Sequence, residues 1–425
     1  MRRFERAFRG GIGHVCRGTL LAAWLLGTTV GSQAGTSHLD SLTAAKRRYL
    51  LSRVFFVPTD RAQRGALPVS VTNTVYLPAV TSQGQLGTCG AYGITYYLKT
   101  YQEAREHGWT QPDPAVNPER CASPAFTYKL LRHGPQAGAR PLVVAQNMVD
   151  FGVCSWATLP YDDTMDTFPW PDASTWRAAM PWRAQAAGLI PRLGQADGRR
   201  TLKAHLASGD LATISMIASR NLHGYPGGED SDATHISNDV IYKCDTDGSG
   251  IYHALTILGY DDTREYLDED TGELRQGAFL AVNSWGTGWG VTEPSVGTRG
   301  FCWLAYQLFE NGGALSDAVV MRDRIGHTPA FALELGIDHD ESELFGTLST
   351  SGRGDHSVAL FPGLHMDNPK HTHQSIWIDV SDMIDYGRAG VTLQVRDFSD
   401  NPGTLDPFTV ESWDGISALA SASVP

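Results

Sequence analysis

The chain has 425 residues, 42% of them hydrophobic and 19% charged, so it is long enough for two or three domains with substantial cores. Its 34 Lys and Arg against 46 Asp and Glu give a formal net charge of −12, which argues against nucleic acid and anionic membrane surfaces as partners. No segment has the composition of an extended disordered region or a collagen-like repeat.

The first 34 residues have the pattern of a cleaved secretory signal peptide. Five Arg precede the apolar residues 19–30, and Ser32 and Ala34 follow at the spacing that signal peptidase reads. A membrane anchor is the weaker alternative, because a bilayer span needs about 20 apolar residues. Without residues 1–34 the chain keeps 29 basic and 45 acidic residues, a net charge of −16. We therefore expect a secreted or periplasmic protein with no membrane-spanning segment.

The next segments predict a short leader followed by an α+β domain. Residues 35–65 begin with a polar, helix-prone stretch and are predicted to be propeptide-like. Residues 66–315 mix helical and strand patterns. The clearest helix follows Cys89, where apolar residues recur at helical spacing up to a stop signal at Gly108.

Two strand-like runs in this domain lie close in sequence. Residues 251–260 and 277–285 are both apolar, and a polar loop joins them. This pattern predicts a long hairpin, or an insertion between two paired strands.

Residues 316–425 have a different pattern. Short alternating apolar runs are separated by Gly, Asp and Pro. They predict a separate, antiparallel, jelly-roll-like β-sandwich that serves as an accessory domain.

The cysteine count suggests that one thiol is free. Six cysteines are present, and Cys16 is lost with the predicted signal peptide. An odd number in an exported chain predicts two disulfides and one free thiol. The five that remain are Cys89, Cys121, Cys154, Cys244 and Cys302.

Cys89 is the best candidate for the free thiol. It lies at the predicted start of a helix, where the helix dipole and unpaired N–H groups favour a thiolate. Thr88 is predicted to be the N-cap, and Gly87 and Gly90 leave room for a substrate backbone.

A thiolate that cleaves peptides also needs a proton donor and a group that orients it. His253 lies in one apolar run and Asn283 in the next, so a hairpin would place both side chains on one face. Each residue also has a simpler interpretation: a hydrogen-bonded core histidine, an asparagine in a turn, and a structural cysteine.

Three motifs in the right order resemble those of the papain-like cysteine peptidases. They are QGQLGTCGAY at residues 83–92, YHALTILGYDD at residues 252–262 and AVNSWGTGWG at residues 281–290. The resemblance covers about residues 66–310. It implies a peptidase of two subdomains, one helical and one built on an antiparallel sheet or barrel.

The resemblance also implies a role for each site residue. Cys89 would be the nucleophile, His253 its ion-pair partner and general acid–base, and Asn283 the group that orients His253. The Gln83 amide and the Cys89 backbone N–H would form the oxyanion hole. Trp285 would shield the bond between Asn283 and His253 from water.

The resemblance gives less detail about substrate contacts. Ile251 and Ala254 match wall positions of the main specificity pocket, which is expected to be apolar. Gly90 stands where the family has a bulky residue, which predicts a more open primed side. Among the remaining cysteines, the resemblance implies a bridge between Cys244 and Cys302 and leaves Cys121 with Cys154.

The expected reaction is hydrolysis of protein or peptide substrates through a thioester, with no metal or other cofactor. The acidic, Gly-containing run at residues 245–250 is more typical of a tight turn than of a calcium loop. Residues 316–425 weakly resemble the P-domains of kexin-like convertases and are expected to contact a surface or the substrate. Two alternatives stay open: a thiol acyltransferase or transpeptidase, and an inactive peptidase scaffold used for binding.

Overall fold

The structure is a computed structural model. It describes residues 48, 50–58, 65–131, 138–163, 170–228, 234–244, 251–339, 344–350, 355–359, 371–382, 391–397, 403–405, 408–412 and 418–422. All of them belong to one unit, residues 34–425. The predicted signal peptide, most of the leader and the acidic run at residues 245–250 lie outside the described residues.

A large sheet forms the centre of the molecule, with 11 strands among the described residues. The strands are β1 Val54–Phe56, β2 Ser70–Thr72, β3 Ala184–Pro191, β4 Ala212–Ala218, β5 Ile236–Ser237, β6 Val240–Ile241, β7 Ile251–Asp268, β8 Glu273–Val282, β9 Val291–Glu293, β10 Thr298–Ala305 and β11 Asp317–Asp323. Their order is β1-β3-β11-β4-β7-β8-β10-β6-β5, with β2 paired to β7 and β9 paired to β10.

Helices cover this sheet and precede several of its strands. The longest, α1, spans residues 89–107 in three contiguous segments, Cys89–Ala91, Tyr92–Lys99 with wider π-type turns, and Thr100–His107. The others are α2 Pro124–Leu131, α3 Pro141–Asp150, α4 Ala173–Ala179, α5 Ala196–Ala207, α6 Arg220–His223 and α7 Tyr306–Glu310, with short 3₁₀ turns at Pro118–Arg120 and Met180–Trp182. The predicted α+β class is therefore confirmed.

Helix α1 packs closely on the sheet one turn after Cys89. A Cβ atom added to Gly93 would lie 2.7 Å from Cγ2 of Thr213 in β4, so only glycine permits this approach. The Gly93 carbonyl accepts hydrogen bonds from the hydroxyls of Thr213, at 3.1 Å, and Thr256, at 3.0 Å. The predicted stop is also confirmed, because Gly108 follows the helix in the left-handed conformation with φ +69°. This packing fixes the start of α1 against β4 and β7.

The predicted hairpin is present. Strands β7 and β8 are antiparallel from Thr256 opposite Val282 to Asp268 opposite Glu273. On its other edge β7 pairs with β4, so that His253 lies opposite Met216. The hairpin therefore places His253 in the interior of the sheet and Asn283 directly after the end of β8.

Two predicted domain limits do not coincide with the sheet. Strand β1, from the predicted leader, pairs in parallel with β3, and Arg53 donates to buried Asp150 at 3.0 Å. Strand β11 follows the predicted boundary at residue 315, yet pairs with β3 and β4. β1 lies at one edge of the sheet, whereas β11 lies inside it, between β3 and β4.

The C-terminal part forms two further antiparallel sheets. One has the order β15-β12-β18-β19 with β17 on β12, and the other has the order β14-β13-β16. The strands are β12 Phe331–His339, β13 Leu344–Thr350, β14 Asp355–Ala359, β15 His371–Asp379, β16 Val391–Asp397, β17 Gly403–Leu405, β18 Phe408–Ser412 and β19 Ala418–Ala422. Leu348 of the smaller sheet shares a buried cluster with Leu333 and Ile376 of the larger one.

A group of buried and half-buried polar residues joins the large sheet to these C-terminal strands; we call Arg183, His327, Asp379 and Ser381 the junction. Arg183 donates to Asp379 at 3.0 Å and to the carbonyl of Val149 at 2.9 Å. Asp379 also accepts from the ring of His327 and from the backbone N–H of Ser381, at 2.9 Å. Burial would raise the pKa of Asp379, but these donors and the Arg183 charge hold the pKa well below its usual range.

Aromatic contacts add to the junction. The guanidinium of Arg177 lies 4.8 Å from the ring centroid of Trp377, and the Trp170 indole donates to the Ser375 carbonyl at 3.0 Å. Among the described residues, no helix is both long enough and apolar enough to cross a membrane.

The predicted bridge between Cys244 and Cys302 is wrong, since both are free thiols. The Cys244 sulfur faces the carbonyl of Gly313 at 3.3 Å, whereas Cys302 lies inside β10 opposite Ala281. Burial raises the pKa of the Cys244 thiol to about 11 and that of Cys302 still further. Cys244 and Cys302 thus belong to the same buried cluster as unbridged thiols.

The predicted bridge between Cys121 and Cys154 is also absent. An isolated antiparallel bridge pairs Ala122 with Ser155, which places the two cysteines diagonally across it. Diagonal neighbours are about 7–8 Å apart, beyond the usual reach of a disulfide. Burial raises the pKa of each thiol to about 12.

Candidate active site

Cys89 begins helix α1, as the sequence predicts, but its immediate surroundings differ from the prediction. Thr88 makes no side-chain cap, and its hydroxyl instead lies 2.9 Å from the Tyr161 hydroxyl. The first turn of α1, which contains Cys89, packs against β7, the strand that contains His253.

The charge state of Cys89 also differs from the prediction. A helix start was expected to favour the thiolate, but burial raises the pKa of the Cys89 thiol above its ordinary value. Backbone N–H groups of Ala254, Gly90 and Cys89 itself lower this pKa by less than burial raises it. The thiol is therefore the form favoured in the unliganded site.

His253 and Asn283 form a direct hydrogen bond. His253 Nε2 lies 2.7 Å from Asn283 Oδ1, which also accepts the backbone N–H of Ser284 at 2.7 Å. Because Oδ1 can only accept, Nε2 carries a proton and Nδ1 is the basic nitrogen of the neutral ring. Burial lowers the pKa of His253 to about 4, against a smaller opposite effect of the Asn283 bond. The neutral imidazole is thus held in one tautomer.

Gln83 is buried and fixed at both ends of its amide. Its Nε2 donates to the Leu86 carbonyl at 2.8 Å, and its Oε1 accepts the Ser284 hydroxyl at 2.5 Å. Its backbone N–H donates to the Ser284 carbonyl at 2.8 Å. Nε2 has two protons, so one stays available to a ligand.

Trp285 packs directly on the imidazole of His253. The ring centroids are 4.7 Å apart, and the half-buried indole lies two residues after Asn283 in sequence. A second imidazole, that of His223 in α6, stacks on the same indole at 5.0 Å. Trp289 contacts it edge-on at 5.5 Å. The predicted shielding residue is thus in contact with His253.

The two predicted pocket residues flank His253 in β7. Ala254 is buried and lies opposite Ser215 of β4. Ile251 pairs with Ala218 through the backbone, and its side chain lies outside the described residues. The role of Ile251 and Ala254 in substrate binding stays a prediction.

Gly90 does not open the site as predicted. A Cβ atom added there would lie 1.8 Å from the Ala139 carbonyl oxygen, so backbone fills the space that a side chain would occupy. The glycine allows this close packing of the chain before α3 against α1.

Two tyrosines that support the site were not predicted. The Tyr97 hydroxyl donates to the Asn283 carbonyl at 2.8 Å, and the Tyr161 hydroxyl donates to the Gln83 carbonyl at 2.7 Å. Tyr97 could have been found, because eight residues after Cys89 is the same face of a helix. Tyr161, 78 residues from Gln83, gave no comparable signal.

Among the described residues, one group of potential metal ligands is close enough to share an ion: Glu103, Glu106 and His107. It lies at the opposite end of α1 from Cys89. Glu103 already pairs with Lys99 at 2.5 Å, and His107 stacks on Trp109 at 4.5 Å. These contacts explain the cluster without a metal.

No protein-family model and no curated protein matches the chain. Among solved structures it is similar to xylellain, a cysteine protease from Xylella fastidiosa, with 20% identity over 69% of this chain and 99% of that one and a TM-score of 0.47. It is also similar to digestive procathepsin L 3 of the Tenebrio molitor larval midgut, with 18% identity, 65% and 79% coverage and a TM-score of 0.44.

A third similar structure contains the cysteine protease and lectin-like domains of Cwp84, a surface layer associated protein of Clostridium difficile. Its identity is 12%, its coverage 84% of this chain and 83% of that one, and its TM-score 0.45. At such low identities and TM-scores, activity has to be inferred from the residues of the site.

Proposed function

We propose that this chain is an exported, papain-like cysteine endopeptidase that cleaves protein or peptide substrates through a thioester on Cys89. The observation that carries the proposal is the arrangement around His253. Its ring is oriented by Asn283 at 2.7 Å, and the strand that carries it packs against the first turn of α1, which carries Cys89. The three residue types that thiol catalysis requires therefore lie on neighbouring elements.

In the proposed first step, Nδ1 of His253 takes the thiol proton as the Cys89 sulfur attacks the scissile carbonyl. Burial favours the uncharged thiol and imidazole, so we infer that proton transfer accompanies substrate binding and attack. The ring stays oriented throughout, because its other nitrogen donates to Asn283.

The tetrahedral oxyanion would be bound by the spare Nε2 proton of Gln83 and by the backbone N–H of Cys89. The Ser284 hydroxyl holds Oε1 of Gln83, so the amide nitrogen keeps its direction. The imidazolium then gives its proton to the leaving amine, and the C–N bond breaks. Water activated by the neutral ring hydrolyses the thioester and restores the thiol.

Within this proposal residues 1–34 are a signal peptide and residues 316–425 contribute an accessory β-sandwich. Because β11 pairs with β3 and β4, we propose that the peptidase domain extends to residue 323. We also propose that the C-terminal strands contact a surface or the substrate protein.

The test compares the wild-type chain with the Cys89→Ala variant on a mixed peptide library read by mass spectrometry. We expect cleavage by the wild type and none above background by the variant, with unchanged thermal stability. Equal turnover by both would refute the peptidase. If an amine acceptor is added and ligated products exceed hydrolysed products, the chain would instead be an acyltransferase.

A further inference from the structure

Helix α6 presents two exposed basic side chains, Arg220 and His223, one turn apart. In the portion of the chain that the structure describes, neither side chain has a hydrogen bond or an ion pair. His223 stacks on Trp285, at 5.0 Å between ring centroids. Its two ring nitrogens and the Arg220 guanidinium are therefore available to a ligand.

The helix is held firmly against the loop that follows β8. The Trp289 indole donates to the Leu222 carbonyl at 3.0 Å, and the backbone N–H of Gly290 donates to the Pro226 carbonyl at 2.8 Å. The ring of Tyr225 also packs on Trp289 at 5.2 Å. The two basic groups are thus presented from a fixed backbone, which reduces the entropy lost when a ligand binds.

The position of α6 relates it to one half of the substrate. His253 protonates the leaving amine in the proposed reaction, so the leaving-group half of the peptide must pass on the side of this ring. Trp285 contacts His253 at 4.7 Å, and His223 contacts Trp285. Residues that follow the scissile bond therefore extend toward Trp285 and α6.

We propose that Arg220 and His223 select peptides with an acidic side chain in the leaving-group half. A guanidinium and an imidazole N–H both donate to carboxylates, and the Trp285 face can pack the adjoining methylene groups. A basic pair is also distinctive on a chain with a formal net charge of −12. This inference rests on the proposed peptidase activity.

The test uses the full chain and three peptides that differ only at the first residue after the scissile bond: Glu, Gln or Lys. We expect kcat/KM for the Glu peptide to exceed that for the Lys peptide by roughly five- to tenfold at low salt, and the ratio to fall as salt is added. Arg220→Ala with His223→Ala should bring the ratio close to one. Arg220→Lys should retain most of the preference.

The Gln peptide distinguishes a failure of the selection by α6 from a failure of the peptidase activity itself. If it is cleaved at similar rates by the wild type and the double variant, while the ratio of Glu to Lys is unaltered, the selection by α6 is refuted and the peptidase stands. If no peptide is cleaved, both proposals fail. The matched control is Lys243→Ala, which removes a cation paired with Asp270 and should leave every ratio unchanged.

Discussion

The site and the junction both bury polar side chains, but they do so in opposite ways. At the site the partners are uncharged, and bonding capacity is left over: among the described residues Asn283 Nδ2 has no partner, and Gln83 has a spare Nε2 proton. At the junction the carboxylate of Asp379 accepts from Arg183, His327 and Ser381.

This difference separates a place where a substrate can add bonds from a place where two parts of the chain are held together. A buried charge that already has all its hydrogen-bond partners is destabilised when one partner is removed, because only those bonds compensate for its lost hydration. Neutral groups with spare donors can gain a ligand at little cost. The comparison predicts that substitutions at the junction change stability, whereas those at the site change rate.

The largest stability effect is expected at the junction. Asp379→Asn should lower the free energy of unfolding by about 3–5 kcal/mol, because it leaves the Arg183 charge buried without its counter-ion. Urea denaturation of the inactive Cys89→Ala chain measures this without self-digestion. Replacing both partners, by Arg183→Met with Asp379→Leu, should recover most of the lost stability.

The matched control for the junction is Arg324→Met. Arg324 pairs with Asp382, whose side chain is 61% exposed, so the loss should stay below about 1 kcal/mol. A loss as small for Asp379→Asn would show that the junction does not hold the two parts together.

The next effect is expected on rate. Gln83→Ala should lower kcat by about 10²–10³-fold with little change in KM, because its amide acts only on the oxyanion. Ser284→Ala should cost about tenfold, since Gln83 stays in place but loses the hydrogen bond that fixes its direction. Steady-state kinetics on one cleaved peptide measures both.

The control for these rates is Gln85→Ala, an exposed glutamine two residues away. It should retain full activity. If Gln83→Ala instead raised KM and left kcat unchanged, the amide would bind the ground state, and the oxyanion assignment would be wrong.

The smallest effect is a pH dependence of stability. The pKa of His253 is lowered from 6.5 to about 4, so between these values the unfolded chain binds a proton that the folded chain excludes. Stability should therefore fall as the pH drops from about 6.5 to 4, by at most about 3 kcal/mol. Above pH 6.5 this residue should contribute no pH dependence.

Denaturation of Cys89→Ala at a series of pH values, with and without His253→Gln, isolates this contribution. The second variant should show a shallower slope over the same interval. Equal slopes would indicate that His253 is accessible to water and titrates normally.

Local patterns were sufficient to predict the fold around the candidate site. The helix after Cys89 and the hairpin between β7 and β8 follow from short-range periodicity, and the hairpin brings His253 to Asn283. Three motifs of ten or eleven residues pointed to Cys89, His253 and Asn283 as candidates. Such motifs depend on neighbouring residues in the sequence, so they can predict local structure around each candidate.

Other features depended on distant parts of the chain and could not be predicted. Strands β1 and β11 join the large sheet through pairing with β3, more than a hundred residues from each. The stacking of His223 on Trp285 and the support of Gln83 by Tyr161 likewise join separate segments. The disulfide predictions were wrong because short sequence motifs give no information about which sulfur atoms lie within bonding distance in the folded chain.

The most direct measurement of the central claim is site-resolved labelling with a peptide epoxide directed at thiols. Five cysteines of the described part of the chain are free thiols, and the four other than Cys89 are buried in the core, so they are internal controls for the labelling of Cys89. Peptide mapping of the folded chain should find the adduct on Cys89 alone, and His253→Ala should slow its formation by at least about 100-fold. An unaltered rate in that variant, or labelling of the buried thiols in preference to Cys89, would contradict the pairing of Cys89 with His253.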